Sequence, residues 1–166
     1  MIDMKTKITL VIAGILLFAC NKDAPIVVDG TLSMCPVNTT CTYNYYESAD
    51  FGGNRPKLGN YRVFWYKSTN KNLCDATSDL YFKTSLSSNN FVIDAQQIAG
   101  GQMVGYNFSC ICCDNMPLKP IGGEIKGKKI DANHWVINAT VILANSQNKP
   151  LDTIKVNQYF ALTGLP

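Results

Sequence analysis

Histidine is nearly absent from this 166-residue chain, with a single copy, and imidazole is the side chain best suited to proton transfer near neutral pH. Most acid–base chemistry loses its usual carrier. The chain also has no HExxH helix motif, no G-x-S-x-G nucleophile elbow and no Gly-rich phosphate loop. Metalloproteases, serine hydrolases and nucleotide-binding enzymes therefore have no motif to stand on, and no cofactor or resident metal is expected. Charged residues make up only 16% of the chain, with a formal net charge of +3, too weak a basic excess to hold a nucleic acid. No segment keeps an apolar i, i+3, i+4, i+7 stripe with caps, so a helical bundle is excluded. Neither an internal repeat nor a second domain is visible.

The one extended apolar stretch runs from Ile8 to Ala19, twelve residues behind Lys5 and Lys7. A stable membrane span needs about 20 apolar residues, whereas this length suits the apolar region of an export signal. Met4-Lys5-Thr6-Lys7 makes a more usual start than Met1-Ile2-Asp3, so both are candidate initiators. The stretch ends in Leu17-Phe18-Ala19-Cys20. This resembles the lipobox of bacterial lipoproteins, with Phe18 bulkier than the usual small residue. The resemblance implies cleavage before Cys20 and acylation of its thiol with fatty acids such as palmitate, making membrane lipid a partner. It divides the chain into a signal peptide (1–19), an acylated N-terminus and tether (20–30) and a folded domain (31–166). Without Lys5, Lys7 and Asp3 the 15 Lys and Arg fall to 13 and the 12 Asp and Glu to 11, a mature charge of +2.

After Cys20 come Asn21-Lys22-Asp23. Absence of Asp directly after the acylated residue resembles outer-membrane sorting, with periplasmic and surface faces both open. Asn- and Tyr-rich strands, together with Gly122-Gly-Glu-Ile-Lys-Gly127 and Asp152-Thr-Ile-Lys-Val-Asn-Gln-Tyr-Phe160, make the chain similar to small lipoproteins of Bacteroidota. That likeness implies no activity.

Beyond the tether the period is two. Trp135, Ile137, Ala139, Val141 and Leu143 alternate with a more polar face carrying His134, Asn138 and Thr140, and Ile154, Val156, Phe160 and Leu162 alternate with Lys155 and Asn157. Residues 144–151 are too short for a parallel crossover, so the two runs predict an antiparallel pair with one buried face. Six further β-branched or aromatic runs, 42–46, 61–67, 79–84, 90–95, 102–110 and 123–130, are separated by Gly-Gly pairs or Asn/Ser stretches. The expected fold is all-β, a single antiparallel β-sandwich or small open barrel stapled by disulfides. Residues 94–97 are the one place for a helical turn.

Of the seven Cys, removing Cys20 leaves Cys35, Cys41, Cys74, Cys110, Cys112 and Cys113. An even count in an exported chain predicts complete pairing. Strand geometry argues against pairing within the C-x-C-C cluster, since adjacent Cα atoms lie about 3.8 Å apart and alternate ones about 6.6 Å. The favoured set joins each cluster thiol to Cys35, Cys41 or Cys74. The rival set pairs Cys35 with Cys41 and uses a turn-borne link such as Cys110 to Cys113. A soft-metal site of Cys110, Cys112, Cys113 and either Cys74 or His134 is the alternative chemistry.

Tyr43, Tyr45, Tyr46, Phe64, Trp65, Tyr66, Tyr81 and Phe82 crowd the first half near Arg55, Lys57 and Arg62. They predict strand packing, with an aromatic platform for a glycan or protein ligand as the sharper reading. Lys126-Gly127-Lys128-Lys129 reads as a solvated hairpin turn. The expected function is a non-enzymatic binding or structural envelope protein. A hydrolase would have to assemble Asp114, Glu124, Asp131 and His134 from distant positions.

Overall fold

The computed structural model describes residues 30–52, 55–113 and 117–166. Cys20, the signal segment and nearly all of the tether lie outside the described residues. Among the described residues nine strands and one short helix follow in order: β1 (Thr39–Gly52), β2 (Arg55–Leu58), β3 (Tyr61–Asn70), β4 (Ala76–Ser85), β5 (Asn90–Ile93), α1 (Ala95–Ala99), β6 (Val104–Ser109), β7 (Lys119–Lys129), β8 (His134–Ala144) and β9 (Pro150–Leu162). They form one sheet, ordered β5-β7-β8-β9-β1-β3-β4-β6, with β2 added beside β1. The sheet curls into an open half-barrel. The all-β, disulfide-stapled expectation holds in its open-barrel form.

Two antiparallel meanders build this sheet. One contains β1, β3, β4 and β6, and the other contains β7, β8 and β9. They meet at a single parallel seam, where Asn44 pairs with Ala161 and Tyr45 with Leu162. The seam joins the first long strand to the last, a pairing no local pattern announces. Below it, residues 31–33 lie along β9: Ser33 N–H donates to the Asn157 carbonyl at 2.7 Å, and Asn157 N–H donates to Ser33 Oγ at 2.8 Å. Asn157 Nδ2 also donates to the Thr31 carbonyl at 3.1 Å. The strap thus satisfies a stretch of β9 that would otherwise present open backbone groups.

Alternation sends one side chain in two inward, and curling brings the inward faces of the meanders together. Trp135, Ile137, Ala139, Val141 and Leu143 are all buried, as are Val156 and Phe160. Ile154 is half-buried and Leu162 is exposed. Phe64 holds the centre, its ring centroid 5.0 Å from Phe82, 5.4 Å from Phe91, 5.4 Å from Trp135 and 5.8 Å from Phe160. Phe91 reaches in across β7 because residue 127 is glycine; a Cβ there would lie 2.3 Å from its ring. Linking β5 to β6 in the chain, α1 packs chiefly against β7 and buries Ile98. Its capping box is complete: Gln97 N–H donates to Asp94 Oδ1 at 2.9 Å and Asp94 N–H to Gln97 Oε1 at 3.0 Å.

The two ends of the half-barrel are closed differently. At one end Arg62, 3% exposed, donates to Glu47 Oε1 at 2.7 Å, to the Ser88 carbonyl at 2.9 Å and to the Leu86 carbonyl at 3.0 Å. Its guanidinium carbon sits 4.5 Å from the Trp135 ring centroid. Arg62 is therefore a buried clamp on the β4–β5 turn and no part of a ligand platform. The other end gathers loops 34–38, 71–75 and 110–113, because Thr39 pairs with Asn70, Asn70 with Ala76, and Thr77 with Ser109.

All three disulfides occupy that second end: Cys35–Cys41, Cys74–Cys112 and Cys110–Cys113. The favoured pairing of every cluster thiol with an upstream partner is overturned, and the rival set is the one formed. Extended geometry disfavours pairing within the cluster, but β6 ends at Ser109. The chain then bends, bringing the Cα atoms of Cys110 and Cys113 to 5.4 Å, an ordinary disulfide separation. Lys126, Lys128 and Lys129 also depart from expectation, lying within β7 opposite Asn138, Val136 and Trp135. The reversal falls at 130–133, where Ile130 N–H donates to the His134 carbonyl at 2.9 Å.

Truncating Trp135 to Ala removes a fully buried ring from the centre and should cost about 3–5 kcal/mol in urea unfolding. Lys155→Ala, on an exposed position, should fall within about 0.5 kcal/mol of wild type. The disulfides should rank by the chain they close. Cys74–Cys112 spans 38 residues and Cys110–Cys113 spans three. Loop-closure entropy gives about 4 kcal/mol for the first and less than half of that for the second. Paired Cys→Ala variants, unfolded without reductant, should show that order.

Candidate functional site

The outward face of the first meander is not a solvated polar surface. Trp65 on β3 stands directly opposite Tyr81 on β4, their rings stacked at 5.5 Å and 22°. Tyr46 closes on Trp65 at 6.3 Å and Phe51 on Tyr81 at 6.0 Å. Gly105 faces this layer from β6, and a Cβ there would lie 2.9 Å from the Phe51 ring. With Ala49, Val63 and the C-terminal Leu165, the rings make a second apolar cluster outside the barrel. The Trp65 ring is thus packed between Tyr46 and Tyr81, and the expected aromatic platform spends its faces on itself.

The next cross-strand row is polar. Lys67 on β3, Asp79 on β4 and Asn107 on β6 are register partners, and one step further along, Thr77 pairs with Ser109. Asp79 is buried, 6% exposed, and Trp65 Nε1–H donates to its Oδ1 at 2.8 Å. Burial raises its pKa above the ordinary carboxylate value, opposed by hydrogen bonds from Trp65 and Asn107 and by the charge of Lys67. Burial likewise raises the Tyr81 hydroxyl, helped by the neighbouring Asp79 charge. Above this row opens a cleft of about 340 Å³, bounded by Trp65 on one side and by Arg55 and Pro166 elsewhere.

A second cavity, about 370 Å³, lies at the stapled end among Pro36, Tyr66, Ser68, Ser78 and residues 152–155. Behind it Tyr66 stacks on Tyr43 at 5.4 Å, and the Ser78 and Tyr106 hydroxyls lie 3.2 Å apart. It contains no charged pair beyond the exposed Asp152 and Lys155.

The residues expected to serve a hydrolase do not converge. His134 Nδ1 lies 3.0 Å from both Asp131 oxygens, and the Asn133 N–H with His134 lowers the Asp131 pKa. Both side chains are exposed. Glu124 is instead ion-paired with Lys126 at 2.6 Å and stands opposite Thr140, six residues along β8 from His134, or about 20 Å at strand rise. Asp114 lies outside the described residues. Among the described residues no hydroxyl or thiol is hydrogen-bonded to His134. The sulfurs of Cys110, Cys112 and Cys113 lie within 4.8 Å of one another, but disulfides engage all three, so metal ligation there requires prior reduction.

Comparison with known proteins finds no matching protein family, no similar curated protein and no similar solved structure. Among the described residues no helix is long and apolar enough to cross a membrane. Sequence reasoning passed over Asp79 and Asn107. The available signal was an acid inside the aromatic run of β4, in phase with Tyr81.

A raised pKa means that Asp79 favours folding when protonated. Its contribution is complete below the ordinary carboxylate pKa and is lost as pH rises through the folded value. Asp79→Asn retains an oxygen to accept from Trp65 without the buried charge. The variant should therefore be at least as stable as wild type at pH 7, and its advantage should shrink towards acid pH. Urea unfolding across a pH series reads this directly; an advantage growing as pH falls would contradict it.

Proposed function

We propose that the chain is an exported lipoprotein, acylated at Cys20 and held at the outer membrane, that binds a small ligand without turning it over. The observation that carries this reading is the cysteine pattern. Three disulfides consume Cys35, Cys41, Cys74, Cys110, Cys112 and Cys113, which leaves one thiol unassigned, and it stands where a lipobox requires it. Disulfides of this number suit an oxidising compartment outside the cytoplasm. Multiple acyl chains hold far more strongly than the marginal grip of one. Asn21-Lys22-Asp23 supports outer-membrane delivery. The non-enzymatic half rests on the distance of Glu124 from the exposed His134–Asp131 pair and on a cleft whose one side-chain carboxylate, Asp79, is occupied by Trp65 and Asn107.

Cells fed an alkyne-tagged palmitate test the anchor. Wild-type protein should take up the label and partition into the detergent phase of a Triton X-114 extract. Cys20→Ser should carry no label. A Cys20→Ser protein labelled as strongly as wild type would remove the lipoprotein reading.

A further inference from the structure

The cleft above Asp79 has an uneven charge. Lys67 and Arg55 both line it, and among the described residues neither makes an ion pair. The buried carboxylate is covered by the Trp65 indole N–H and the Asn107 amide, so it holds donors in place more than it repels an incoming anion. A cation entering would meet two like charges. A bare inorganic anion would leave unmatched the Ser109 hydroxyl and the acceptor oxygens of Thr77 and Asn107, whose donors are turned to the Asp75 carbonyl and to Asp79. A flat aromatic ligand would find the Trp65 ring already stacked on Tyr81, tilted against Tyr46 and overlain by the Lys67 ammonium at 5.7 Å.

We propose that this cleft binds a small carboxylate bearing several hydroxyl groups, of the hydroxy-acid or uronic-acid kind, with Lys67 and Arg55 on the carboxylate and Thr77, Asn107 and Ser109 on the hydroxyls. The cross-strand register makes the fit specific. Lys67, Asp79 and Asn107 span three neighbouring strands at about 4.8 Å intervals, and the hydroxyl row lies two residues further along. The floor therefore offers a grid of cationic donors and oxygen acceptors on a rigid sheet, which lowers the entropy cost of binding. A cleft of about 340 Å³ is at the small end of ligand sites, suited to a single sugar-sized molecule. Trp65, its N–H turned to Asp79, gives the ligand an apolar wall.

This inference rests on the reading of the chain as a binding protein, and names the ligand class of that site. Titration of the full chain in detergent micelles with galacturonate, galactose and inorganic phosphate, followed by calorimetry, tests it. Galacturonate should bind saturably and about tenfold or more tighter than either control, and Lys67→Met should weaken it about tenfold, the loss of one charge-assisted hydrogen bond. Arg55→Gln, at an exposed position, provides a second variant if Lys67→Met lowers the melting temperature. No saturable binding, equal binding of galactose or phosphate, or indifference to both variants would overturn the proposal. The palmitate label, read on the same preparation, reports the anchor independently, so failure at the cleft and failure of the lipoprotein reading remain distinguishable.

Discussion

Everything in this fold depends on the aromatic contact around Phe64. The ring meets Tyr45 from β1, Phe82 from β4, Phe91 from β5, Trp135 from β8 and Phe160 from β9. A flat nine-stranded sheet would leave these side chains in water. Curling lets them bury one another, at about 25 cal/mol per Å² of apolar surface removed from solvent. The same contact fixes the seam, because β1 and β9 must lie side by side for Tyr45 and Phe160 to approach Phe64 together.

Burial alone does not finish the two ends, and each is closed by a different kind of bond. At one, the guanidinium of Arg62 gathers carbonyls of the β4–β5 turn while its face rests on Trp135. A planar fork of donors suits that task and an ammonium does not. At the other end the loops are irregular, and covalent links replace the missing core. Cys74 and Asp75 both adopt left-handed backbone, with φ of 47° and 53°, conformations that non-glycine residues take at a cost. The Cys74–Cys112 link lies at that strained turn.

The outer face of the first meander explains why an aromatic-rich sequence need not carry an aromatic ligand site. Alternation obliges half of the rings to point outward, and cross-strand pairing lets them stack on one another instead of on a ligand. What remains outside the stack is the polar row beside them. There the burial of Asp79 places a carboxylate where desolvation and hydrogen bonding oppose each other.

The amino-acid sequence by itself determined the strand class, the C-terminal hairpin and the helical turn at 94–97, because each rests on neighbours within about ten residues of one another, and the even set of thiols, which needs only a count. Period two in 134–143 needs no knowledge of the rest of the chain to specify which side is buried. The tertiary structure alone decided the disulfide partners, the parallel seam and the cleft. Cys110 reaches Cys113 only because β6 stops at Ser109, and Lys67, Asp79 and Asn107 become neighbours only through the register of three strands. His134, the residue that looked most chemical, was placed outward by alternation, and the structure keeps it there beside Asp131. Local pattern encodes which face a side chain takes. Which distant side chain shares that face depends on strand order, and strand order is set by how the whole apolar surface can be buried at once.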